Sequence, residues 1–190
     1  MKRKGASPVI HFPDTAFTAL LASAVEVFPR ETNGMILGDI KRGGKLYSVD
    51  CVLPYQTGNK TKESTGHCIK RRSDSIGVFI GHRYGYIGEF HSHTFEAEKM
   101  DVRISKDDIE NARYRVREYP IGKQVDIEVL VSLRPIKIRV SELTLKQGKK
   151  CVHGRFPVLT DEKKGFAYNI SAWLITQFDT TSMKVTVKLI

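Results

Sequence analysis

Between residues 88 and 108 the chain reads GEFHSHTFEAEKMDVRISKDD, and these residue types could hold a metal ion. If the first part is a strand, His91 and His93 project from one face and Ser92 from the other. If a helix opens near Ser105, that serine and Asp108, three residues on, share a face. A strand feeding such a helix would bring two imidazoles and one carboxylate to a single point. Three protein ligands with one position left open is the pattern of a catalytic zinc, not of a structural one. Water on such an ion has its pKa lowered to about 7, so hydroxide is available at neutral pH.

Each part also has an ordinary reading. Two histidines on a strand are often only packed and hydrogen-bonded. Ser-x-x-Asp before Ile109 is a capping-box pattern, enough to start a helix without any function. The combination in this order is what points to a site.

The flanking sequence supplies the elements that must position it. YIGEFHSH (86–93) reads as a strand, and SKDDIENARYRVREY (105–119) as a helix with Ile109, Ala112 and Val116 on one side. Earlier, Phe17, Leu20, Leu21, Ala24, Val25 and Phe28 recur at helical spacing, with Asp14 or Thr15 as the expected cap. The basic, apolar start resembles a secretory leader, but His11, Pro13 and Asp14 interrupt it, and a first core helix is the better reading. GMILGDI and KLYSVDCVLPY read as paired strands around an RGG turn, and QTGNKTKESTG as a loop. HCIKRR is expected to be a short strand and SDSIGVFIGHRYG a short helix. VDIEVLVSL and IKIRVSELTL are strand candidates joined through Pro135, and KVTVKLI is another. FAYNISAWLITQF suits either a helix or a strand. Helices interleaved with strands predict a layered α/β or α+β domain.

Composition sets the limits. The 190 residues carry 31 Lys and Arg against 21 Asp and Glu, a net charge of +10. Basic residues gather at Lys2–Lys4, around Lys60–Arg72, and at Arg113, Arg115 and Arg117. Such a balance suits nucleic acid, an anionic membrane surface or an acidic protein partner, but the dispersion favours solvated surface charge. Cys51, Cys68 and Cys151 form no C-x-x-C pair, which suggests a reducing, cytoplasmic setting. No apolar run is long enough for a membrane helix.

PRETNGMILG, then YIGEFHSH, then SKDD together resemble the JAMM motif of the MPN-domain (Mov34/PAD-1) metalloproteases. Glu31, Gly34, Gly38, Gly88, His91, Ser92, His93, Ser105 and Asp108 match it in order, and the resemblance covers roughly residues 14–140. It implies an MPN-like curved mixed β-sheet flanked by helices over residues 1–140, with 141–190 as a short C-terminal extension packed on the same domain. It also implies that His91, His93 and Asp108 ligate zinc. Glu31 would pass a proton from water to the leaving amine, and Ser105 would donate to the oxyanion. The implied reaction is hydrolysis of an amide or isopeptide bond, at the C-terminus of a ubiquitin-like or sulfur-carrier protein. Two features depart from the motif. Thr94 stands where the family has proline, and the segment from Thr94 to Ile104 is longer than usual, which makes Asp101 and Asp107 rivals to Asp108. Other readings are a catalytically silent scaffold of the same family and, ranked lower, a basic nucleic-acid-binding module.

Overall fold

The computed structural model describes residues 7–55, 58–60, 65–67, 85–95, 100, 102–118, 125–139, 143–158, 161–176 and 182–190. In chain order the elements are β1 (Val9–Phe12), α1 (Asp14–Glu26), β2 (Asn33–Lys41), β3 (Leu46–Pro54), β4 (Gly58–Lys60) and β5 (Thr65–His67). Then follow β6 (Tyr86–Thr94), α2 (Lys106–Glu118), β7 (Val125–Lys137), β8 (Thr144–Gln147), β9 (Cys151–Val158), β10 (Asp161–Thr176) and β11 (Met183–Leu189).

Nine strands form one sheet in the order β11-β1-β3-β2-β6-β7-β10-β9-β8, and β10 also pairs with β11. That extra pairing closes the first seven strands into a barrel. The architecture is therefore a mostly-strand closed barrel with two short helices among the described residues. The expected α/β sheet flanked by helices is not what forms. The physical reason lies in the C-terminal part of the chain. FAYNISAWLITQF begins with residues of β10, which pairs with β7 continuously from Lys164↔Lys137 to Thr176↔Val125. Its early part carries β9 and β8, and its last turns of pleat carry β11. β11 then runs parallel to β1 from Val9↔Thr186 to Phe12↔Leu189, joining the two ends of the chain. Residues after 141 thus complete the barrel wall.

Inward residues of β7 (Ile127, Val129, Val131, Leu133) meet Phe90, Ile170 and Val187 in the core, together with Phe17, Leu20 and Ala24 of α1. Helix α1 matches the predicted spacing, but its cap differs: the N-cap is Pro13, and Asp14 is instead an acid of the first turn. The RGG turn is as read, with φ of 54° at Arg42, 61° at Gly43 and 80° at Gly44. The IKIRVSELTL segment divides, its first residues belonging to β7 and its last to β8. The expected helix after Ser73 lies outside the described residues, as do Cys68 and most of the HCIKRR segment. Gly88 of the motif has a structural role: a Cβ there would collide with the Ile127 carbonyl, so glycine lets β6 and β7 pair.

Candidate metal centre

The centre is built where β6 ends and α2 begins. In β6 the two-residue repeat sends His91 and His93 to the outer face, while Phe90 enters the core. Helix α2 lies over that face. Its sheet-facing stripe carries Asp108, Ala112, Arg115 and Val116, and Ala112 is fully buried. Asp108 therefore reaches the histidines from the first turn, and Arg115 reaches the sheet two turns later.

Ser105 holds the start of this helix. Its hydroxyl donates to Asp108 Oδ2 at 2.6 Å and accepts the Asp108 N–H at 3.1 Å. The Ser105 N–H also donates to Asp108 Oδ2 at 3.0 Å, completing a reciprocal capping box. The capping reading and the site reading are thus both served by one pair of residues. Asp107 is exposed, and Asp101 lies outside the described residues; among the described residues Asp108 joins the two histidines.

Three ligand atoms converge. His91 Nε2 lies 3.2 Å from His93 Nε2 and 3.4 Å from Asp108 Oδ2, and His93 Nε2 lies 3.8 Å from the same oxygen. Zinc bonds of about 2.0–2.2 Å at tetrahedral angles would set donor atoms about 3.3 Å apart. The two spacings from His91 Nε2 match that edge length and the His93–Asp108 spacing of 3.8 Å is wider, so His91, His93 and Asp108 form a group that could hold a metal ion.

Glu128 was missed by sequence reasoning, and it fixes the geometry. His91 Nδ1 lies 2.7 Å from Glu128 Oε1, so that nitrogen donates to the carboxylate and Nε2 is turned to the convergence point. A carboxylate behind a metal-binding histidine sets its tautomer and raises its basicity. Glu128 is in turn gripped by Arg115 Nη2. The same guanidinium donates to Asp126 at 2.8 Å and pairs with Glu89 at 3.2 Å. The Tyr55 hydroxyl donates to Glu89 at 3.2 Å. The sequence did carry a signal: Asp126 and Glu128 alternate within the apolar run VDIEVLVSL, where acids need a buried partner.

The electrostatics follow from this packing. Burial presses the His91 imidazolium toward neutrality, but hydrogen bonds to Asp108 and Glu128 outweigh it and raise the pKa to about 10. Burial would raise Asp108, yet hydrogen bonds from His91 and Ser105 hold it well below the usual carboxylate range. Asp126 goes the other way. Burial lifts it to about 7 against the pull of Arg115, and its Oδ1 is buried with no hydrogen-bond partner among the described residues.

Glu31 precedes β2. Beside it, the Thr32 N–H donates to Ser92 Oγ at 2.9 Å, and the Ser92 N–H donates to the Thr32 carbonyl at 2.8 Å. This extends the Asn33↔His91 register by one pair, up to the residue that follows Glu31. Thr94, at the position where the motif has proline, donates to the Pro29 carbonyl at 2.8 Å and ties the same segment to the end of β6.

No protein-family model matches this chain, and no curated protein matches it. Solved structures do. The solution structure of protein DSY2949 from Desulfitobacterium hafniense covers 96% of this chain and 92% of its own, with a TM-score of 0.55 and 14% identity. That likeness is one of fold alone. No described helix is long and apolar enough to cross a membrane.

Proposed function

We propose that the protein is a zinc-dependent metallohydrolase acting on amide or isopeptide bonds, with a ubiquitin-like or similar polypeptide as substrate. One observation carries the reading: three ligand atoms of His91, His93 and Asp108 stand at zinc-like spacing, with Glu128 orienting the first. The JAMM-like order of Glu31, His91, His93, Ser105 and Asp108 in the sequence supports the reaction class.

Bound zinc would polarise the scissile carbonyl and acidify a water. The chain's own residues supply the rest. Glu31, the residue before the Thr32–Ser92 pair and the acid of the JAMM-like order, accepts the proton and returns it to the leaving amine. Glu128 keeps the proton of His91 on Nδ1 and so frees Nε2 for the ion. Ser105 orients Asp108; when its hydroxyl turns from Asp108 Oδ2 it can donate to the developing oxyanion.

The test is cleavage of ubiquitin-like fusions and isopeptide-linked conjugates, with and without chelator, by the wild type and by Glu31→Gln. Chelator-sensitive cleavage that falls at least 100-fold in Glu31→Gln, with zinc content unchanged, is expected. Equal cleavage by the variant would contradict the assigned base.

A further inference from the structure

A cleft of about 850 Å³ opens on the outer face of β7, β10, β9 and β8, and Arg134, Lys146, Cys151, His153 and Arg155 line it. It lies on the same face as the metal centre. Directly paired strand residues point to one side of a sheet. The register runs without a break from His93 to Ser132, Asn169, His153 and Lys146. The next row holds Arg134 and, two strands away, Arg155.

Among the described residues the cations of this cleft have no counter-charges. Arg134, Lys146 and Arg155 form no ion pair among the described residues, whereas Arg115 has three acids. The Nε of Arg134 is buried with no hydrogen-bond partner among the described residues. A buried donor of this kind is costly unless a ligand satisfies it. The volume lies within the usual range for ligand sites, about 300–1,000 Å³. Nucleic acid suits the cleft poorly, because its one benzenoid ring, Tyr168, is 4% exposed and offers no stacking surface.

We propose that this cleft binds an acidic segment of the polypeptide substrate, whose scissile amide lies at the His91–His93–Asp108 group. The proposal rests on the hydrolase reading above. Strands stand about 4.8 Å apart and rise about 3.3 Å per residue, so Arg134 is roughly 8 Å from His93 and Lys146 roughly 19 Å. An extended substrate covers those distances in about three to six residues. Carboxylates at those positions from the scissile bond meet the cations; neutral side chains there do not.

The experiment uses the zinc-loaded full chain and pairs of fluorescein-labelled peptides, with Asp and Glu, or Asn and Gln, three to six residues from the scissile amide. The acidic peptides are expected to show a KM about ten-fold lower with kcat within two-fold. Lys146→Gln and Arg155→Gln, both at exposed positions, should each remove two- to five-fold of that preference. Arg134→Gln should remove more, because its Nε is buried. Binding of the acidic peptide to His91→Ala, measured by fluorescence anisotropy, separates the two claims. Arginine-dependent binding without cleavage by the wild type supports the cleft and overturns the hydrolase reading. Cleavage that ignores both peptide charge and the three substitutions overturns the cleft. So does a single-stranded oligonucleotide that displaces the acidic peptide at lower concentration than unlabelled peptide does.

Discussion

At the scale of single residues, the site is a convergence of Nε2, Nε2 and Oδ2 atoms set by one second-layer carboxylate. His91, His93 and Asp108 were legible because strand and helix periods are simple, and two residues apart in one and three in the other bring side chains to a common face. Glu128 was not singled out, because a charge in a sequence is first read as solvent-facing. Its role depends on β7 lying parallel to β6, with Glu128 opposite Glu89 and one pleat from His91. Replacing Glu128 with Gln keeps the shape but weakens the acceptor for His91 Nδ1–H. Zinc affinity should drop about 10- to 100-fold, read by competition with a chelating dye, while the far-ultraviolet circular dichroism stays unchanged. Unchanged affinity would remove Glu128 from the account.

At the scale of elements, α2 carries Asp108 of the His–His–Asp group and also anchors a cluster of buried charges. Its start was legible in Ser105 and its buried stripe in Ala112 and Val116, but Arg115 was not. That arginine reads as one of three alternating basic residues on a solvated face. In the structure Arg115 turns inward and faces Glu89, Asp126 and Glu128. Removing one partner of a buried ion cluster leaves charges without compensation, so Arg115→Ala should cost about 3–5 kcal/mol in urea unfolding. Ser105→Ala loses only the cap, at about 1 kcal/mol, but it also frees Asp108 to leave the histidines. It should therefore reduce zinc affinity more than its small stability cost would suggest, a split that separate unfolding and metal-binding titrations reveal.

At the scale of the whole molecule, the decisive contact joins chain ends. Strands β2, β3, β6, β7 and β11 were legible from alternation and turn residues. By contrast, β1 and β9 carried no such signal, β4 lies in the stretch expected to be a loop, and β10 suited a helix equally well. Closure into a barrel was not legible at all. It depends on β11 pairing with β1 and β10 at once, and no local pattern specifies a parallel pairing across nearly the full chain. The layered expectation failed there, while the site, built from β6, β7 and α2, is local enough to survive the change of fold. The buried charges also shape stability. Asp126 has a native pKa of about 7 against 3.8 unfolded, so the native state holds its proton more tightly. Its contribution is present below pH 4 and is lost as pH rises to 7. His91, raised from 6.5 to about 10, adds stability below pH 6.5 that is lost as pH rises through 10. The metal-free protein should therefore melt at progressively lower temperature from pH 5 to pH 9, and Asp126→Asn should flatten the part below pH 7. If His91, His93 and Asp108 hold the ion that drives amide hydrolysis, titrating zinc into chelator-stripped protein restores cleavage of a ubiquitin-like fusion. Cleavage is expected to rise to a break at one equivalent and to show no rise in His93→Ala. Cleavage that is already complete before zinc is added, or that is equal in His93→Ala, would contradict that assignment.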